Sequence, residues 1–435
     1  MSPELFSIIV LVVMFVVGTA LPINLGVMGF VAAFLVGTLL GGLSAEDIFG
    51  GFPANLFVLL AGVTYLFAIA LKNGTVDLLM HWGLRLVRGN VGLVPWIMFS
   101  LTTMLCGVGA LSAAGVAVVA PIALRSAARY GISPLMMGIL VVQGATAGSY
   151  SPISPFGVIT NGVLASEGLP QSPGLLFANS LVFNTVVAAL VFVAFGGLRL
   201  LGKRISPEEL EGRVAADAAP TDEEDRAGDE ADEDEGKLTP YRGATLVGIA
   251  LLVVLALGFG ADVGFAAFTI ALALALMAPG EQAGTLRELP WPVILLVAGL
   301  LTYVGVLDQI GTIDYVEALI SSTANPLVAA LAASYVGGVI SAFASTAGIL
   351  GVAIPLAGSV LQDPSIPAIG AVSAVAIASA IVDVSPFSTN GALLLANAQN
   401  VDARKFFRQL LLWAAIVTLV MPLLAWFVFV VLAIP

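Results

Sequence analysis

The 435-residue chain has one cysteine, one histidine and little charge, with Asp, Glu, Lys and Arg together making up 10% of it. The lone Cys106 excludes an internal disulfide and any multi-cysteine metal cluster. The lone His81 leaves no histidine-based metal site or triad. Only four of the sixteen basic residues are lysines. No arginine or lysine falls in the interior of the long apolar runs, so nothing bound inside them could rely on a buried basic clamp.

What is present is apolar. With 59% hydrophobic residues and many apolar runs of about 18 residues or more, the sequence predicts an all-α polytopic membrane protein. Ten spans are expected at about 5–20, 24–42, 54–72, 134–166, 174–201, 243–260, 263–279, 291–307, 367–400 and 409–434. The first has no basic residue before it and carries Glu4 on its flank, so it is expected as a helix of the mature protein rather than a signal peptide. Two further stretches, 93–124 and 325–360, are interrupted at their centres by small and polar residues around Ser112 and around Ser345-Thr346. Each predicts two half-length helices meeting at a tip, a re-entrant hairpin.

The net charge of −12 is unevenly placed, since residues 203–242 hold 14 of the 28 acidic and 6 of the 16 basic residues. This block predicts a disordered, solvated linker that divides the chain into 1–202 and 243–435. Within those halves, 1–92 and 243–324 are expected as scaffold spans, and 93–202 and 325–435 as hairpin and transport elements.

The halves repeat each other. Pro121 and Pro355 lie 234 positions apart, as do Ala110 and Ala344, Ser112 and Thr346, Ser151 and Ser385, Pro152 and Pro386, Ser154 and Ser388, and Gly157 and Gly391. Upstream, Ala61, Gly62, Gly74, Thr75 and Asp77 recur as Ala298, Gly299, Gly311, Thr312 and Asp314 at a shift of 237. Five spans and one hairpin per half is an odd number of crossings, so the second half is expected inverted relative to the first. With both termini outside, all sixteen basic residues fall in or at the edges of the predicted cytoplasmic segments, the acidic linker among them. The predicted outer loops carry Glu46, Asp47, Glu167, Asp262, Asp308, Asp314, Glu317 and Asp363 instead. After the third span, Asp77, His81, Arg85 and Arg88 share one helical face, which predicts an amphipathic helix at the membrane surface, with TIDYVEALIS as its outer counterpart.

SPISPFG at Ser151 to Gly157 and SPFSTNG at Ser385 to Gly391 place prolines and hydroxyls inside spans, where both are costly. A cost repeated at matched positions suggests a use. A broken helix or a hairpin tip exposes unpaired N–H groups with partial positive charge. Four such termini are expected, after Ser112, Thr346, Pro152 and Pro386, and these supply what the missing basic residues do not. Hydroxyls of Ser112, Ser151, Ser154, Ser345, Thr346, Ser385, Ser388 and Thr389 add donors for a carboxylate. Unwound carbonyls beside them, with Asn161 and Asn390, suit a cation of sodium type. For any single serine, close packing and simple proline kinks are the alternatives. Asp383 is the one carboxylate deep in a predicted span, a candidate cation ligand or proton carrier whose repeat counterpart is Ser149. Its alternative role is to cap backbone N–H groups at the Ser385 break.

LSAAGVAVVAPIAL with GSYSPISPFG, and FASTAGILGVAIPLAG with VDVSPFSTNG, together resemble the ion transporter superfamily. Within it the chain is most similar to the divalent anion and sodium symporters and to the malonate or dicarboxylate carrier branch. The resemblance implies that Ser112, Ser345 and Thr346 contact substrate and that the two breaks form cation sites. The expected substrate-binding set is therefore Ser112, Ala113, Ser154, Pro155, Ser345, Thr346, Ser388 and Thr389. The expected cation set, with sodium as the possible metal, is Ser151, Gly157, Asn161, Asp383, Ser385, Asn390 and Gly391. The family's Ser-Asn-Thr tip is here Ser112-Ala113-Ala114 and Ser345-Thr346-Ala347. The resemblance also implies a homodimer and an elevator movement.

The function expected is cation-coupled transport of a small di- or tricarboxylate such as malonate or succinate, driven by sodium or protons. A cation/proton antiporter using Asp383 is the alternative within transport. An enzyme would need a cluster of acids or histidines near one interface, which the sequence lacks, and a channel would need no inverted hairpins. No organic cofactor and no nucleic-acid partner are expected. Few lysines and the acidic linker point to a salt-adapted prokaryote, hence to its inner membrane.

Overall fold

A computed structural model describes all residues except 1, 22, 77, 80–81, 83–89, 167, 204–237, 260, 283, 314, 317–324, 343–345, 357–362, 364, 399–400 and 435. The described residues form helices and short turns without a β-strand. In the first half these are α1 (Pro3–Ala20), α2 (Leu25–Leu39), α3 (Ala45–Gly50), α4 (Ala54–Lys72), α5 (Val94–Gly107), α6 (Ser112–Tyr130), α7 (Pro134–Ser149), α8 (Pro155–Ser166) and α9 (Pro173–Ala194). In the second they are α10 (Pro240–Phe259), α11 (Val263–Met277), α12 (Trp291–Gln309), α13 (Pro326–Ser341), α14 (Thr346–Leu356), α15 (Ala368–Ile381), α16 (Thr389–Ala396) and α17 (Ala403–Trp426).

Local chemistry sets the helix starts. Side-chain oxygens of Ser2, Asn24, Ser133, Asp262, Asn325 and Asp402 accept from N–H groups of the first turns of α1, α2, α7, α11, α13 and α17. Proline opens α7, α9 and α13, where its missing N–H costs nothing. The ends recur across the halves: α4 and α12 start and stop 237 positions apart, and the α5–α6 and α13–α14 junctions stand 234 apart.

Among the described residues, five helical stretches are long and apolar enough to cross a membrane by themselves: Ala54–Lys72, Pro173–Ala194, Trp291–Gln309, Ala368–Ala396 and Arg404–Val431. The chain is thus an all-α, multi-pass membrane protein. Against the ten expected spans, other segments are shorter apolar helices, such as α2 and α11 with 15 residues each. Fifteen residues rise only ~22 Å, less than a hydrocarbon core of ~30 Å. Of the expected surface helix, Asp77, His81, Arg85 and Arg88 lie outside the described residues, as do Asp314 and Glu317 of its counterpart and most of the acidic linker.

Two packed groups result. In the first, α2 lies along α12 and α4 along α11, so each half's helix is matched to one from the other. Backbones approach here as closely as glycine permits. A Cβ on Gly299 would stand 1.9 Å from the Gly26 carbonyl oxygen, and one on Gly26 would stand 1.9 Å from that of Leu295. On the other pair, a Cβ on Gly62 would meet the Gly264 carbonyl oxygen at 2.5 Å. Tyr303 ties α12 to α1 by donating to the Ser7 carbonyl at 2.8 Å. Gly299→Ala is expected to force α2 and α12 apart and cost about 3 kcal/mol, read as a fall in melting temperature of the purified protein.

The second group is built around α7 and α15, which are buried on every side: all of Leu135–Ser149 and Gly370–Ile381 is buried. Helices enclosed by protein need no polar face, which is why neither shows amphipathic spacing. Helices α5, α6 and α9 pack on α7, while α13 and α17 pack on α15. Contacts then cross between halves, α6 on α16 and α14 on α8. Tyr150 donates to the Ala376 carbonyl at 2.5 Å and Asn179 to the Ser373 hydroxyl at 2.9 Å, joining the two centres.

Candidate functional site

Both breaks close in the same way. Helix α7 ends at Ser149 and α8 begins at Pro155; α15 ends at Ile381, a 3-10 turn covers Val382–Val384, and α16 begins at Thr389. The Ser154 hydroxyl donates back to the Ser149 carbonyl, and the Ser388 hydroxyl to the Asp383 carbonyl. The Ser154 N–H bonds the Ser151 carbonyl at 3.0 Å, and the Ser388 N–H bonds that of Ser385 at 2.9 Å. Ser151 and Ser385 hydroxyls each accept from an N–H two residues on, of Ile153 and Phe387, both at 3.3 Å.

A glycine completes each break. A Cβ on Gly157 would stand 2.1 Å from the Ser151 carbonyl oxygen, and one on Gly391 would stand 1.9 Å from that of Ser385. The first turn of each emerging helix therefore lies directly over the broken strand of backbone, which only a residue without Cβ permits. The helices emerge at Pro155 and Thr389, three residues after Pro152 and Pro386, with the N–H groups of Ser154 and Ser388 taken by the turn.

The hairpin tips meet these breaks unequally. Ser112, the first residue of α6, accepts from Asn390 Nδ2 at 2.8 Å, so the first tip touches the first turn of α16. Thr346, the first residue of α14, pairs with the Ser341 hydroxyl at 2.9 Å and also neighbours the Asp383 carboxylate. Asp383 is buried. Ser112, Thr346, Asp383, Ser385, Ser388, Asn390 and Gly391 thus gather around the second break. Around the first are Ser151, whose hydroxyl donates to the Gly107 carbonyl at 2.5 Å, with Ser154, Pro155, Gly157 and Asn161. Asn161 donates to the Gly157 carbonyl at 2.6 Å. Ala113 is half-buried beside Ser112, Thr389 is exposed, and Ser345 lies outside the described residues.

The hydroxyl protons of Ser151, Ser154 and Ser388 are committed to backbone carbonyls, so the breaks owe their shape to them. The oxygens Oδ1 of Asn161 and Asn390 are buried without a donor. Bare amide oxygens suit a hard monovalent cation, and the N-termini of α6, α8, α14 and α16 suit an anion. Among the described residues no three His, Cys, Asp or Glu side chains form a group that could hold a metal ion.

Comparison with known families bears on the first third of the chain. Residues 1–149 match the family of the dicarboxylate carrier protein MatC N-terminus. The match takes in α1–α7, with the whole first hairpin, and stops two residues before Ser151. Over that third the chain is similar to the dicarboxylate carrier family, which supports the resemblance to the malonate or dicarboxylate carrier branch. No curated protein matches the sequence.

A separate cavity of about 470 Å³ opens between the two packed groups, lined in part by Asn55, Leu56, Gly162, Ser166, Asp308 and Pro355. Its described lining includes no residue of either break. The sequence reading passed over Tyr150, Gln143 and Asn184. Each is a polar side chain inside an otherwise apolar run, a signal that was available.

Proposed function

We propose that the protein is a secondary active transporter of small di- or tricarboxylates of the malonate or succinate type, coupled to sodium or protons. The observation that carries this is the pair of identically closed breaks, each facing a hairpin arm from the other half. Four helix N-termini without any basic side chain favour an anion, whose charge they offset by their partial positive potential. The cation is held by Asp383 and the bare oxygens of Asn161 and Asn390 next to the same breaks.

The two packed groups support an elevator movement, with α1–α4 and α10–α12 as scaffold and the remaining helices as the moving body. The repeat implies ten spans in two inverted halves, the distribution of basic residues puts both termini outside and the acidic linker in the cytoplasm, the family resemblance implies a homodimer, and the few lysines and acidic linker favour a prokaryotic inner membrane. A second reading, cation/proton antiport, is favoured by one observation: Asp383 is a single buried carboxylate at a helix break.

A panel of labelled dicarboxylates offered to proteoliposomes under imposed sodium or proton gradients tests the leading reading. Uptake of malonate or succinate under one gradient is expected; no carboxylate uptake under either overturns it. Thermal stabilisation is a second readout. At about a hundred times its dissociation constant a true substrate adds ~2.7 kcal/mol to stability, and with sodium coupling the gain depends on sodium.

A further inference from the structure

Besides Asn161 and Asn390, two more amides in the break-bearing group carry a buried oxygen with no donor: Gln143 and Asn184. Both are 0% exposed, and neither belongs to a break or a hairpin tip. Gln143 sits in the middle of α7 with its amide nitrogen also unpartnered. Asn184 sits on α9, where its nitrogen donates to the Ser180 carbonyl at 2.8 Å and the Ser180 hydroxyl at 3.2 Å.

Register brings them together. The Ser180 hydroxyl donates to the Thr146 carbonyl at 3.1 Å, which fixes one level of the α7–α9 interface. The two helices are antiparallel: α5 runs parallel to α7, since the Phe99 and Thr103 backbone lies against Gly144 and Gly148, while Trp96 near the start of α5 packs on Phe192 near the end of α9. One turn on from Ser180 is Asn184, and one turn back from Thr146 is Gln143. Gln143 and Asn184 therefore stand at about the same level of the α7–α9 interface.

Buried polar groups are rarely left unpaired, and the exceptions call for a partner. An anion is disfavoured beside unpartnered amide oxygens where no basic residue stands in either helix. A divalent ion would need carboxylates to offset its charge, and α7 and α9 contain none. Neutral amide oxygens fit a monovalent alkali cation, as hard oxygen donors do elsewhere. We propose that Gln143 and Asn184 form a third cation position, separate from the two breaks, that binds sodium. The position stands independently of which anion is carried, although its contribution to coupling rests on the transport reading.

Equilibrium binding of labelled sodium to the purified full-length protein, without any dicarboxylate, tests it. Gln143→Leu and Asn184→Leu are each expected to remove one sodium equivalent or weaken one class of site by at least about tenfold. Wild-type stoichiometry and affinity in both variants, with unchanged or raised melting temperature, overturns the proposal, since the amides would then be replaceable by apolar side chains. So does a wild type that binds no sodium. Should a leucine variant not purify as a single species, Gln143→Met and Asn184→Ser carry the same expectations. A protein that binds sodium at this position but takes up no dicarboxylate overturns the transport reading alone.

Discussion

Gly391→Ala is expected to lose transport and to destabilise the protein by about 3 to 5 kcal/mol. The new methyl carbon would begin 1.9 Å from the Ser385 carbonyl oxygen, 2.5 Å from its carbon and 2.9 Å from the Pro386 nitrogen. All three are backbone atoms of the same tight turn, so no side-chain rotation relieves the clash. Either the turn opens or α16 shifts, and each outcome breaks the Ser388 bonds to Asp383 and Ser385 and displaces Asn390 from Ser112. Gly157→Ala, at 2.1 Å from the Ser151 carbonyl, should behave alike. Thermal melts in detergent with parallel uptake assays check both. Near-wild-type melting and uptake in either variant would show that the breaks are not the rigid turns described.

Asp383→Asn is expected to cut cation-driven uptake by about a hundredfold or more while leaving the fold intact. An asparagine has the same shape and keeps an oxygen at the same place, so packing is preserved. What it removes is a charge in a region from which water is excluded, where it can be retained only with a cation or a proton beside it. Uptake and substrate binding measured together separate the two transport readings. A carboxylate symporter should still bind its anion in the variant. A pure antiporter should lose exchange and have no anion to bind. Full gradient-driven uptake in the variant excludes any coupling role for Asp383.

The sequence made the repeat legible because its markers are prolines, serines and glycines, residues that apolar composition does not supply by chance. Matched positions 234 apart led to both breaks and to both hairpin junctions, and helices begin at Ser112 and Thr346 as that spacing implied. The crossed partners were not legible. Nothing in the order of residues says that Asn390 reaches Ser112 in the other half, because that contact depends on how α6 and α16 pack in space. The inner use of the serines was hidden for a related reason. A hydroxyl in a broken span reads equally as a ligand donor or as a clasp, and only the geometry assigns those of Ser154 and Ser388 to the carbonyls behind them. Gln143 is a lone amide in GILVVQGATAG that the repeat does not single out, because position 377 is isoleucine.

The pairing of α2 with α12 and α4 with α11 has a consequence for how such a chain can be divided. Each half on its own would present two glycine-floored grooves shaped for a backbone it does not contain. Cut at the acidic linker, the pieces would be obliged to find each other, and co-produced fragments should reassemble into one particle where single fragments pair with copies of themselves or precipitate. The two halves are in this sense a permanent heterodimer carried on one polypeptide.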